Sequence, residues 1–334
     1  MAQSISLGKI RSLQACSTPE GVFAILAADH RDALRVQINP QSPERVTGPE
    51  MTSVKMAIVS HLAPQATAVL LDPVYSAAQL IACGPLASAC GTLPGHVGML
   101  TALEEQGYLG DPYARQTLML EGWSIEKAKR LGANGVKVLL FYHPDAGEAT
   151  ERQDQLVSTL VEECHHHEIP FFLEPISYPL DPHMDKRSAE FAATRRRVVI
   201  ESARRLSKLG IDVLKVEFPV DARHDADRAS WADACAELTE AINVPWALLS
   251  ADEAFEVFRD QVEIACKAGC SGFLAGRAVW KEAATLRGDP QTRFLKSGAS
   301  KRFAELKEVA QLHGKPWYRC YQMPQINESW YRGY

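Results

Sequence analysis

Eight short apolar runs, each followed by a stretch with helical spacing, restrict this chain to very few folds. The runs cover residues 22–30, 66–75, 96–104, 135–143, 170–178, 213–220, 245–251 and 272–280. Apolar residues recur at helical intervals over 50–62, 123–131, 154–165, 186–209, 229–241 and 253–268, the pattern of amphipathic helices. Gly132, Gly210 and Gly269 follow the ends of three of these segments, where a glycine commonly closes a helix. Strands alternating with helices indicate parallel β/α units, and eight of them predict an α/β fold closed as a (β/α)8 TIM barrel. Such a barrel takes about 250 residues, so a chain of 334 has room for insertions. An open doubly wound sheet competes, but no Gly-x-Gly-x-x-Gly follows any of the runs. The chain reads as one domain, 1–334. Residues 84–95 read as a loop, and the tail from Lys315 onward is unusually aromatic. That tail is expected to dock either on the barrel or on a second copy in a homo-oligomer.

The formal net charge of −5 gives no basic footprint for nucleic acid. No apolar run is long enough to span a bilayer, and residues 1–11 lack the apolar core of a signal peptide. A cytoplasmic protein without membrane partners is expected. The eight cysteines are scattered, with Cys266 and Cys270 four apart rather than in a Cys-x-x-Cys pair. They are expected to be reduced thiols.

The run 213–220 carries the sharpest chemical signal. Side chains alternate between the faces of a strand, so Leu214, Val216 and Phe218 share one face and Lys215 and Glu217 the other. If the apolar face packs against the surrounding helices, an ammonium and a carboxylate point inside the barrel. Charged side chains are seldom buried without a partner or a purpose. A structural ion pair is one account; a desolvated lysine serving as a nucleophilic amine is the other.

Active sites of such barrels lie at the C-terminal strand ends. The first run ends Ala28-Asp29-His30-Arg31 and the second Leu71-Asp72-Pro73. The fourth carries Lys137 among apolar neighbours, the fifth ends Leu173-Glu174-Pro175, and the sixth holds Lys215 and Glu217. The seventh ends Leu249-Ser250-Ala251 and the eighth Ala275-Gly276-Arg277. Packing does not explain polar groups at so many ends of otherwise apolar strands; a site does. A second lysine and burial both disfavour the ammonium form, which frees an amine to attack a carbonyl. Glu174 or Glu217 can move the proton that carbon–carbon cleavage requires. Ser250, Gly276 and Arg277 stand where barrels of this class grip phosphate. These features together point to a phosphorylated keto-sugar. A zinc site built from His30, His143, Asp29, Asp72 and Glu174 is the metal alternative, but catalytic zinc favours three histidine-rich ligands and leaves Lys215 unexplained. His165, His166 and His167 close a helical segment, where cationic groups suit the helix dipole.

These strand ends, with Leu71-Asp72-Pro73-Val74-Tyr75, Gly135-Val136-Lys137-Val138-Leu139-Leu140, Leu214-Lys215-Val216-Glu217-Phe218-Pro219-Val220 and Gly276-Arg277-Ala278-Val279-Trp280, resemble the class I tagatose-1,6-bisphosphate aldolase family. The run 272–280 is also similar to the related sulfofructose-phosphate aldolases. The resemblance covers roughly residues 22–280 and implies a Schiff-base aldolase working without metal or other cofactor. It implies that Lys215 forms the imine, Glu174 transfers the proton and Lys137 supports that chemistry. It also implies that Asp29 contacts substrate hydroxyls, Arg31 the distal phosphate, and Ser250, Gly276 and Arg277 the phosphate of the dihydroxyacetone phosphate half. His30, Asp72 and Glu217 complete the expected substrate shell. Two positions depart from the family pattern. His30 stands where the family has Gln, and Asp252 where it has Gly two residues after the seventh-strand Ser. Asp252 is expected to cap a helix starting near Glu253. A sugar-phosphate sensor on the same barrel is a further alternative, but it needs no pair of interior lysines.

Overall fold

The chain's strands have two unlike faces, and each face feeds a separate apolar cluster. The computed structural model describes residues 3–82, 93–332 and 334; most of the stretch expected as a loop at 84–95 lies outside them. The barrel strands are β1 (Phe23–Ala27), β2 (Ala68–Leu71), β3 (Gly98–Ala102), β4 (Gly135–Phe141), β5 (Phe171–Ile176), β6 (Val213–Val216), β7 (Trp246–Leu249) and β8 (Gly272–Ala275). They pair in chain order, all parallel, and β8 closes on β1. The closed eight-stranded barrel expected from the alternation is therefore present. Gly272 makes its seam: the residue sits at φ 124°, and a Cβ there would lie 2.0 Å from the Phe23 carbonyl oxygen.

Outward-facing Ala24, Val69, Val138, Leu214, Val216 and Trp246 belong to the large core between strands and helices. Inward-facing Phe23, Ile25, Leu70, Leu100, Phe172, Val213, Ala247 and Leu274 fill the lower barrel. The helical jacket includes Gly48–Leu62, Ile125–Leu131, Glu148–His166, Ala189–Leu206, Arg228–Ala241 and Phe255–Lys267. Thr47 and Glu50 form a capping box at the first of these, and Ser188 accepts from the Phe191 amide at the fourth. Such caps satisfy amides that have no partner within the helix. Among the described residues no helix is long and apolar enough to cross a membrane.

Two local expectations are corrected. The eighth strand stops at Ala275, and Arg277–Trp280 is a helical turn. A short apolar run such as Ala278-Val279-Trp280 does not by itself distinguish strand from helix. The helix expected from Glu253 starts at Phe255, with Ala254 as its cap residue and no side-chain cap. Ala251 and Asp252 both adopt left-handed backbone, at φ 43° and 66°, so the chain turns here before the helix begins.

The aromatic tail docks on its own barrel. Trp317 and Tyr321 are buried with Ile5, Leu13 and the lower barrel residues. The Trp317 indole donates to Ser17 Oγ at 3.1 Å, and the Tyr321 hydroxyl donates to the Asp212 carbonyl just ahead of β6. Gln3–Ser4 pairs in parallel with Tyr321–Gln322, so segments flanking the barrel on both sides form its floor. Trp330, Tyr331 and Tyr334 stay exposed.

Candidate active site

At the opposite end, the strands open into a cavity of about 850 Å³. Asp29, Glu104, Lys137, Glu174 and Lys215 form its base, all nearly buried. Each lies in line with the inward-facing residues of its strand, two positions above the apolar layer or one further pair along. Lys137 Nζ is 2.7 Å from Asp29 Oδ2, 2.5 Å from Glu104 Oε1 and 3.2 Å from Glu174 Oε2. Lys215 Nζ meets one carboxylate, Glu174 Oε1, at 2.7 Å. Glu174 thus bridges the two ammonium groups, one oxygen to each.

This arrangement separates the lysines. Burial disfavours the charged form of Lys137, but the carboxylates of Asp29, Glu104 and Glu174 outweigh it and push its pKa well above the ordinary lysine value. Burial opposes the Asp29 carboxylate likewise, yet Lys137 and Lys215 hold its pKa well below the usual range. His30, 3.8 Å from Asp29 through Nδ1, is pushed down to about 3 by burial and by the cations Arg277, Lys215 and Lys55, against the pull of Asp29. It is a neutral imidazole, edge-on to Trp280 at 5.3 Å.

Ser250, Gly276 and Arg277 meet at the ends of β7 and β8, with the Gly276 amide donating to Ser250 Oγ at 3.3 Å. Gly276 has no room for a side chain: a Cβ would lie 2.6 Å from His30 Cε1. Asp252 also lines the cavity, its Oδ2 3.6 Å from Arg277 and its Oδ1 buried without a hydrogen-bond partner. It therefore faces the arginine rather than capping a helix. The pair is about a third exposed, and an ion pair of that kind contributes at most about 1 kcal/mol. Asp252→Asn keeps a residue that tolerates left-handed backbone and removes the competing charge. It is expected to lower KM for a phosphorylated substrate by up to about fivefold with little change in kcat. A higher KM would instead make Asp252 the group that holds Arg277 in place.

Glu217 lines the cavity above Lys215 and is fully engaged. Ser177 donates to its Oε2 from the amide at 2.7 Å and from the hydroxyl at 2.6 Å, and Lys186 donates to Oε1 at 2.7 Å. Burial raises its pKa, but Lys186 and Arg195 overcome that and bring it to about 2.

Two expected ligands face elsewhere. Arg31 donates to the Glu104 carbonyl at 2.5 Å and lies 3.4 Å from Glu105, so it braces the ends of β1 and β3 outside the cavity. Asp72 is fully buried outside the cavity too. It pairs with Lys55 of helix Gly48–Leu62 and accepts from the Val74 and Tyr75 amides and the Ser76 hydroxyl. With Asp72 paired there and His143 outside the cavity, the residues considered as zinc ligands do not converge. Removing one partner from a buried pair commonly costs 3–5 kcal/mol. Lys55→Met is expected to destabilise the fold by about 3 kcal/mol, measured by the shift in urea midpoint. A loss below about 1 kcal/mol would mean that the Asp72 turn holds without its cation.

The family described as DeoC/LacD family aldolase matches residues 23–282. The chain belongs to that family. Tagatose 1,6-diphosphate aldolase of Lactococcus lactis is 31% identical over 327 residues, covering 92% of this chain and 97% of that protein. Tagatose 1,6-diphosphate aldolase 1 of Enterococcus faecalis is 32% identical over 296 residues, 84% of this chain and 86% of that one. A solved Schiff-base-forming fructose-1,6-bisphosphate aldolase superposes with a TM-score of 0.59 at 18% identity, covering 90% of this chain and 99% of that one. The last likeness bears on the barrel.

This DeoC/LacD family aldolase is thus a lyase whose site contains residues that reading strand ends had not assigned. Glu104 stands just beyond β3, at the end of the third apolar run, and the same rule extended to that run would have found it. Lys186 and Arg195 reach the cavity from the connection after β5 and its helix, where no short-range signal marks them.

Proposed function

We propose that this aldolase cleaves tagatose 1,6-bisphosphate to dihydroxyacetone phosphate and glyceraldehyde 3-phosphate through an imine on Lys215. One observation carries the reading: among the described residues Lys137 is surrounded by three carboxylates while Lys215 pairs with Glu174 alone. Lys215 is therefore the amine able to pass a proton to Glu174 and use its lone pair. Attack on the C2 carbonyl gives a carbinolamine, and loss of water gives the protonated imine. A base takes the proton of the C4 hydroxyl, the C3–C4 bond breaks, and its electron pair passes into the iminium to form an enamine. The aldehyde leaves. Protonation of the enamine at C3 and hydrolysis of the imine release dihydroxyacetone phosphate and regenerate the amine.

Glu174 suits the proton transfers because it contacts the reacting nitrogen directly. Lys137 keeps a positive charge beside it throughout, which favours the carboxylate between proton transfers. Asp29 stays ionised and can accept from substrate hydroxyls. Arg277, Ser250 and the turn after β8 are suited to the phosphate nearest the imine carbon. The sugar itself is carried over from the names of the relatives. The test is a panel of ketose phosphates assayed for dihydroxyacetone phosphate release in the presence of excess EDTA. Tagatose 1,6-bisphosphate is expected to be cleaved at full rate; a requirement for added zinc would overturn the imine mechanism.

A further inference from the structure

The cavity holds a second cationic group that the scheme above leaves without a task. Lys186 and Arg195 approach one carboxylate, Glu217, with Lys186 Nζ at 2.7 Å and an Arg195 terminal nitrogen at 3.7 Å from the same oxygen. Arg195 is nearly buried and spends its Nε on the Phe218 carbonyl at 3.0 Å. Glu217 is held from the other side by the amide and hydroxyl of Ser177. Two cations therefore converge on one oxygen of a buried carboxylate at the cavity wall, and the carboxylates of Asp221 and Glu253 also act on Arg195. Lys186 keeps about a third of its side chain exposed, so its ammonium has donors left for an anionic ligand in the cavity. On the opposite side of the cavity Arg277 faces Asp252 and a neutral His30.

The two anion grips lie on either side of the reacting lysine. Lys186 and Arg195 follow β5, Arg277 follows β8, and Lys215 projects from β6 between them. Glu217 lies two residues beyond Lys215 on the inward face, about 6.6 Å further toward the mouth by strand rise. A substrate joined to Lys215 and held by Arg277 at one end extends toward Glu217 at the other. Arg31, the residue expected to take that end, is turned out of the cavity.

We propose that Lys186 and Arg195, gathered on Glu217, bind the substrate's terminal anion remote from the imine carbon and set the preference for a doubly charged ketose. The assignment rests on the function proposed above. Glu217 is then a positioning residue that keeps both cations aimed at the cavity. A terminal phosphate and a terminal sulfonate share the required chemistry, and both belong in the test.

The experiment compares wild type, Lys186→Met, Lys186→Arg and Arg277→Ala. Kinetics are run on tagatose 1-phosphate, tagatose 1,6-bisphosphate and the 6-sulfonate analogue of the bisphosphate, with calorimetric titration of inorganic phosphate alongside. A hydrogen bond to a charged group contributes about 1.5–3 kcal/mol, so Lys186→Met is expected to lower the ratio of kcat/KM for bisphosphate over monophosphate by about 10- to 150-fold. Lys186→Arg, which retains the charge, is expected to restore most of that ratio. The substrate on which the wild type has the larger kcat/KM, phosphate or sulfonate, identifies the natural end group. Lys186→Met and Arg277→Ala are each expected to abolish one of two phosphate-binding events. An unchanged ratio in Lys186→Met, with both substrates losing equally, overturns the proposal, as does wild-type phosphate binding in that variant. If wild type cleaves none of the ketoses but Lys186→Met still loses a phosphate site, the anion grip stands and the catalytic reading falls.

Discussion

Borohydride reduction of this aldolase with dihydroxyacetone phosphate is expected to leave the reduced three-carbon phosphate on Lys215. Two buried lysines lie within reach of the same glutamate, and chemistry needs one of them neutral. Lys137 is the worse candidate, because three carboxylates surround its ammonium and hold the proton on it. Lys215 gives up a single contact, with a group that can itself accept the proton. Lys215→Met should abolish the adduct, seen by peptide mass mapping, and lower kcat on the order of 10⁴–10⁶-fold, the scale of losing a covalent nucleophile. An adduct on Lys137 in the wild type would reverse the roles of the two lysines.

Glu174→Gln is expected to separate imine formation from turnover. Glutamine keeps the shape of the bridge between the lysines but cannot carry the proton. General acid–base groups contribute roughly 10²–10⁴ in rate. The variant should therefore still be trapped by borohydride while kcat falls by about that factor. Turnover within a fewfold of wild type would pass the proton-transfer role to the substrate phosphate, since Glu217 is occupied by Lys186 and Ser177.

Alternation makes the centre of this site legible in the sequence. In β6 an apolar residue flanks each charged one, so the inward pair Lys215 and Glu217 follows from period two, and the outer residues Leu214 and Val216 do pack in the core under the helices. The same parity applies to Asp29, Lys137 and Glu174, which all line the cavity. It fails where a partner arrives from a distant segment. Asp72 has inward parity with Ala68 and Leu70, yet Lys55 from the preceding helix captures it. Arg31 lies past the end of β1, at the cap position of helix Asp32–Ile38, where the pleat no longer dictates direction. The cap assigned to Asp252 failed for a backbone reason: two successive left-handed residues delay the helix. Lys186 arrives from the connection after β5 and Arg195 from the helix Ala189–Leu206 that follows it, so strand alternation marks neither. Local pattern thus located the reacting residues, while charge pairs made across the barrel decided which other polar groups face substrate.

The floor of the barrel has a consequence for the order of events during synthesis. Tyr321 and Gln322 pair with Gln3 and Ser4, so a segment made before all eight barrel strands waits for one made after them. Until then Ile5 and Leu13 lack the Trp317 and Tyr321 side chains that bury with them. Joining segments so far apart along the chain carries a loop-closure cost that a growing chain meets late. The strands that hold Lys137, Glu174 and Lys215 are all complete before Trp317 exists. On the ribosome, then, the catalytic end of the barrel can form while its base is still open to water, and Trp317 and Tyr321 act as a stopper.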